Sequence, residues 1–180
     1  MKAPFKRTLL GLCFAFTLSI SAQETSEIST SNIASQNTVE SERYKTLFAA
    51  VKATELEGIM DKSGPFTIFA PSDAAFERFS SDKMQELLNS KDKSELKSLL
   101  GYHIVAGHLS ASKILQALCQ GNGQASFTTI QGKKLKAHMD GINIVLTDPV
   151  GNTARITVAD VNQKNGIIHE IDSVIQPSQM

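Results

Sequence analysis

The spacing of apolar side chains changes character twice between residue 44 and the C-terminus. Tyr44, Leu47, Phe48 and Val51 recur at i, i+3, i+4 and i+7, the stripe of one helix face. Thr54 followed by Glu57 has capping-box spacing and predicts a second short helix that ends near Ser63-Gly64. Phe66 to Ala70 is an apolar run of strand length. Pro71 closes it, and Ser72 and Asp73 are residue types that accept from the free N–H groups of a helix beginning at Ala74. Asp92 with Glu95 opens another helix, striped by Leu96, Leu99, Leu100 and His103, after which "YHIV" reads as extended. Ser110 caps a helix that ends near Cys119, and "QGNGQ" breaks it.

Beyond that break the period becomes two. Leu135, Ala137 and Met139 point one way, and Lys134, Lys136 and His138 the other. Asp140-Gly141 is a hairpin signal, and Ile142, Ile144 and Leu146 then alternate against Asn143, Val145 and Thr147. "DPVGN" turns the chain again, "RITVADV" supplies a third strand and "GIIHEIDSVI" a last one that ends at Pro177. Helices early and a hairpin-rich sheet late define an α+β fold, not a parallel α/β one. No internal repeat is visible.

The residues before Tyr44 have a different composition. "MKAPFKRTLLGLCFAFTLSISAQ" carries Lys2, Lys6 and Arg7, an apolar run from Leu9 to about Ile20, and the small residues Ser19, Ser21 and Ala22. This is the layout of a secretory signal peptide over 1–22, cleaved after Ala22, and its apolar run is shorter than the ~20 residues of a spanning helix. Leu12 stands before Cys13 where a lipoprotein needs a small residue. Residues 23–43 are polar, without period, and read as a flexible spacer, so the folded domain is expected over 44–177. The chain has 18 basic and 18 acidic side chains, and loss of the first 22 residues leaves 15 against 18. That mild acidity argues against nucleic-acid binding. With the signal gone Cys119 is the single cysteine, which excludes an internal disulfide; its place beside Ile114, Leu115 and Leu118 reads as a half-buried small hydrophobe.

Candidate chemistry is sparse. A serine on a strand-to-helix turn is the geometry of a nucleophile elbow, but Pro71 and Asp73 flank Ser72 where small residues are needed, so the corner reads as a structural joint. His103 continues a leucine stripe and His169 alternates in phase with Ile167 and Ile171, so both read as neutral, hydrogen-bonded core residues. His103 and His108 straddle a break, and strand alternation separates His169 from Glu170 and Asp172, so neither set converges as a zinc site requires. No catalytic residue, metal site or cofactor is assigned. "GNG" at 121–123 is a helix terminator before it is a phosphate loop. Lys133, Lys134 and Lys136 form a small basic edge that reads as a device keeping a strand soluble and unpaired.

"GPFTIFAPSDAAF", "YHIV" and "NGIIHEIDSVIQP" together resemble the signature motifs of the fasciclin domain family, in its order and rough spacing, over about residues 42–177. The resemblance implies a wedge of two β-sheets packed with several short helices in the N-terminal half. It also implies a secreted or surface-anchored protein acting in adhesion or extracellular binding without catalysis. Pro71, Ser72, Asp73, Asn165, Gly166 and His169 are its structural motif residues. In integrin-binding relatives a tyrosine-histidine pair is assigned to recognition, and it resembles Tyr102-His103. A second integrin motif, Glu-Pro-Asp-Ile-Met, would place its Asp-Ile on Asp160-Val161. Its Glu-Pro falls on Val158-Ala159 and its Met on Asn162, so the aspartate alone is kept.

Three functions follow as expectations. The first is a monomeric, non-enzymatic binding module, secreted to the medium or periplasm, that docks to an extracellular or envelope protein or glycan without stable membrane insertion. The chain ends at "QPSQM" with no apolar tail, which speaks against a lipid anchor there. A second is a carrier of a small apolar ligand such as a pigment or lipid, lined from nine phenylalanines and five methionines that the core also needs. The third is an exported hydrolase using Ser72.

Overall fold

A computed structural model describes residues 43–178; the expected signal peptide, and the spacer apart from Arg43, lie outside the described residues. The elements run α1 (Lys45–Thr54), α2 (Leu56–Lys62), β1 (Phe66–Pro71), α3 (Asp73–Asn89), α4 (Ser94–Tyr102), β2 (Ile104–Ala106), α5 (Ala111–Gln120), β3 (Gln124–Thr128), β4 (Lys134–Asp140), β5 (Asn143–Thr147), β6 (Thr153–Gln163) and β7 (Gly166–Ile171). This is an α+β arrangement. The two expected sheets are here one continuous order, β2-β1-β7-β6-β5-β4-β3, and a bridge between Val105 and Thr129 brings its two ends together. The long β6 makes the continuity: its start pairs with β5 and the rest with β7.

β1 and β7 pair in parallel over six residues, from Phe66 opposite Gly166 to Pro71 opposite Ile171. Successive side chains on a strand alternate faces, so this pair serves two cores. Phe69 and Ile171 join Leu135, Leu146, Ile114 and Leu118 inside the curved sheet under α5. A second cluster lies among the helices, with Ala50, Phe76, Leu96, Leu99 and Val174. Met60, Phe66 and Ile104, with Ile68 packed against them, form a third, smaller cluster.

Several local expectations change. Thr54 does not cap α2; its hydroxyl donates back to the carbonyls of Ala50 and Val51, and Glu55, at φ 55°, joins the two helices. Gly141 and Ile142 form the β4–β5 turn between the paired Asp140 and Asn143, so Ile142 is 94% exposed and does not point into the core. Val145 is buried as well as Ile144 and Leu146. Cys119 is exposed, because Ile114 and Leu118 alone carry the buried stripe of α5. β4 is no edge: β3 pairs with one side of it and β5 with the other, so its lysines stand on a sheet face. Ser80 takes φ 103° inside α3 and kinks it.

Gly166 has φ 155°, and a Cβ there would lie 1.9 Å from the Phe66 carbonyl oxygen. The Gly166→Ala variant is therefore expected to lose about 3 kcal/mol or more, read as a drop in urea midpoint with unchanged slope. A change within about 0.5 kcal/mol would refute that close approach.

Candidate functional site

The signature residues converge on the two ends of the β1–β7 pair. At the C-terminal end, Pro71 completes β1, and the Ser72 hydroxyl accepts from the Ala75 N–H at 3.3 Å, capping α3. Asp73 begins that helix but turns its carboxylate onto another one: Oδ1 and Oδ2 accept from the N–H groups of Thr46 and Lys45 at 2.9 and 3.1 Å, capping α1. The expected joint is thus a double joint, with two helix starts held by adjacent side chains. At the other end the Asn165 amide donates to the carbonyls of Met60 and Ser63 and closes the end of α2.

His103 and His169 are both buried, at 2% and 0% exposure. The His103 Nε2 accepts from the Ile175 N–H at 3.3 Å, which makes Nδ1 the protonated nitrogen that donates to the Leu99 carbonyl at 2.9 Å. Burial pushes its pKa down to about 4 against the opposing pull of that carbonyl and of Asp148. The opposite tautomer holds His169: Nδ1 accepts from the Asp160 N–H and Nε2 donates to the Leu109 carbonyl at 2.7 Å. Burial lowers its pKa too, and its ring stacks on Phe69 at 5.6 Å. Both rings are saturated as neutral bridges between backbone segments.

Tyr102 is fully buried and donates to the Lys134 carbonyl at 2.8 Å. Burial, then the negative charge of Asp148, push its phenol up to about 12 and keep it a donor. The Tyr102-His103 pair therefore lies in the interior and offers no surface to a macromolecular partner. Asp160 is exposed on a bulge of β6 at φ 62°, and its Oδ1 accepts from the Ala111 N–H at the start of α5 at 2.8 Å. Val161 beside it is half-buried and pairs with Ile168.

Two acids that sequence reasoning gave no role prove central to the polar framework. Glu170 is 4% exposed, and its carboxylate accepts from Tyr44 Oη at 2.6 Å, from Thr157 Oγ1 at 2.8 Å, and pairs with Arg43 at 2.8 Å. Arg43, read as spacer, is tied to the fold by that pair. The buried Asp148 accepts from the N–H groups of Val150, Asn152 and Gln176, fastening the segment after β7 to the β5–β6 turn. The "DPVGN" turn was the visible signal for it; nothing local marked Glu170. Among the described residues no three His, Cys, Asp or Glu side chains are placed to hold a metal ion, and no helix is long and apolar enough to cross a membrane.

One apolar cleft opens between α1, α2 and the helix-facing side of β1 and β7. Leu47, Phe48, Val51, Ile68, Leu100 and Ile168 line much of it, and its volume is about 70 Å³.

A seven-stranded mixed sheet carrying its signature residues at the ends of a parallel strand pair defines an α+β scaffold domain. The fasciclin domain model matches residues 42–177, and the chain belongs to that family. It is 34% identical over 137 residues to protein sll1483 of Synechocystis sp., covering 76% of this chain and 68% of that protein. Human periostin is 29% identical over 143 residues, covering 79% of this chain and 16% of periostin. Immunogenic protein MPB70 of Mycobacterium bovis is 33% identical over 115 residues, with 64% and 51% covered. A FAS1 domain pair from the insect cell adhesion molecule fasciclin I shares the fold, with a TM-score of 0.59 at 23% identity over 76% of this chain and 46% of that one.

Two outcomes follow. Between its ordinary value of 6.5 and about 4, His103 is protonated in the unfolded chain and neutral in the folded one. Its contribution is complete above about pH 6.5 and lost as pH falls to about 4, on the order of 3 kcal/mol, and His169 acts in the same direction. Urea midpoints at pH 7, 5.5 and 4 should fall in that order, less steeply for His103→Gln; a flat profile would exclude neutral buried rings. Ser72→Ala should cost about 1 kcal/mol, the worth of a helix cap.

Proposed function

We propose that the chain is a non-enzymatic fasciclin-domain binding module, exported from the cytoplasm, that docks to an extracellular or envelope protein or glycan. One observation carries the reading: the signature polar side chains and the buried acids are spent on the fold. Ser72 and Asp73 cap helices, His103 and His169 bridge backbone groups, and the carboxylates of Glu170 and Asp148 are filled with donors. Ser72 has no histidine among its hydrogen-bond partners, which argues against a hydrolase. What remains for function is the outer surface. The insect relative in fold is a cell adhesion molecule, and surface recognition is the same class of task.

The apolar cleft supports a second reading, a carrier of a small apolar ligand. Its volume decides the order of the two. A cavity of ~150 Å³ accepts benzene, and this cleft has about 70 Å³, so a pigment would have to displace α1 and α2.

The test is retention of purified protein on host cell-surface, matrix and envelope preparations, against an unrelated secreted protein. Saturable binding to one preparation is expected. Binding no higher than the control would sink the module. A native mass above that of the polypeptide, with absorbance beyond that of Tyr and Phe, would install the carrier instead.

A further inference from the structure

The outward face of β3 to β6 has a composition that the chain's balanced charge conceals. Cross-strand register lines up Ser126, Lys136, Thr147 and Thr153 in one row and Gln124, His138, the buried Val145 and Arg155 in the next, with Thr128 and Lys134 opposite each other beyond. Leu135 and Ala137, on the other face of β4, are buried in the core. Lys134, Lys136 and Arg155 are exposed. An open concavity of about 670 Å³ lies over Gln124, Ser126, Lys136, His138 and Thr147.

Asp172 and Asp148, the acids nearest Arg155 and Thr147, are turned away from this face. Asp172 accepts from the backbone N–H of Arg155, and Asp148 is buried among backbone donors. Asp140, exposed and in phase with Lys134, Lys136 and His138, is the one acid of β4 on this face, at its far end between the cations and the exposed Ile142 tip. Positive charge and exposed apolar surface therefore do not combine into a membrane-binding patch. No Phe, Tyr or Trp side chain stands in these rows, so the extended stacking platform that holds single-stranded nucleic acid is missing.

We infer that this face is the docking surface for a uronic-acid polysaccharide. The inference rests on the binding-module reading and names its partner. Lysines two apart on β4 stand roughly 7 Å from each other, a spacing suited to carboxylates carried singly along a sugar chain. The Ser, Thr and Gln side chains between and beside them both donate and accept, as the hydroxyls of sugars require. Lysine heads on flexible stems meet carboxylates as point charges and leave those hydroxyl contacts to set the register.

The experiment measures binding of the purified chain to polygalacturonate, with dextran sulfate, neutral dextran, duplex DNA and anionic phospholipid vesicles in parallel. The test variant is Lys134→Glu/Lys136→Glu/Arg155→Glu; the control, Lys52→Glu/Lys91→Glu/Lys164→Glu, makes the same net charge change on exposed sites elsewhere. Salt-sensitive binding to polygalacturonate is expected, weakened about tenfold or more by the face variant and little by the control. Equal losses in both variants, binding to dextran sulfate alone, or equal affinity for DNA or vesicles would overturn it. So would unaltered binding by the face variant. If the face variant melts below the parent, single substitutions Lys136→Gln and Arg155→Gln replace it, and each must weaken binding. Absence of polygalacturonate binding in a protein still retained on host surfaces would defeat this inference alone; absence of both would defeat the module as well.

Discussion

The parallel pairing of β1 with β7 joins strands a hundred residues apart in the chain, and most of the fold hangs on it. β1 emerges from the helical half and β7 closes the hairpin half, so one ladder fuses two units that local sequence builds separately. Loop-closure entropy over that separation must be repaid by contacts made together. Alternation arranges this: Thr67 and Phe69 with Ile167 and His169 lie on one side, and Ile68 and Ala70 with Ile168 and Glu170 on the other. Gly166 permits the approach at one end, and at the other the Ser72 N–H continues the ladder onto the Ile171 carbonyl.

A scaffold built this way uses buried polar groups as fasteners. Asp73, Asn165, His103, His169, Glu170 and Asp148 each tie together segments distant in sequence, mostly through backbone partners. An unmade bond at His103, His169, Glu170 or Asp148 would leave a buried donor or acceptor without a partner, which costs more than the made bond contributes. Such groups select one arrangement of the elements more than they add to its stability. The residues that make the sequence identifiable are for that reason interior or capping residues, with little contact surface of their own.

Periodicity carried most of the elements, and its failures have definite causes. The alternation of β4, the apolar run of β1, the Ser110 cap and the inward histidines were legible because each is a local pattern. Ile142 misled because Gly141 is the first turn residue, not the second, which moves Ile142 out of the strand. Thr54 misled because a threonine at a helix end can bond backward to its own carbonyls as readily as forward to the next helix. β3 alternates small and polar residues with a single Phe127, too weak a signal to register as a strand. Whether Lys134 and Lys136 lie on an edge or a face depends on whether β3 exists, so missing the strand also misassigned the lysines. The site was legible as motif and illegible as geometry, since Glu170 meets Arg43 and Tyr44 from about 126 residues away.

That dependence shows where a recognition surface can arise in such a domain. The buried histidines and carboxylates are committed, the cleft under α1 is narrow, and exposed side chains are the part of the sequence left free by folding. On a sheet with one face buried, every second residue of each strand is released from the core, and register alone decides which of them become neighbours. Lys136, 19 residues from any other Lys or Arg but Lys133 and Lys134 in sequence, gains Ser126 and Thr147 beside it and Arg155 diagonally across the sheet through pairing alone. Folding concentrates positive charge on this face while Asp148 and Asp172 beside it are spent on backbone donors and Asp140 is left at its far end. An overall charge of zero is then compatible with a surface that attracts anions, because charge is sorted by side of the sheet and not by position along the chain.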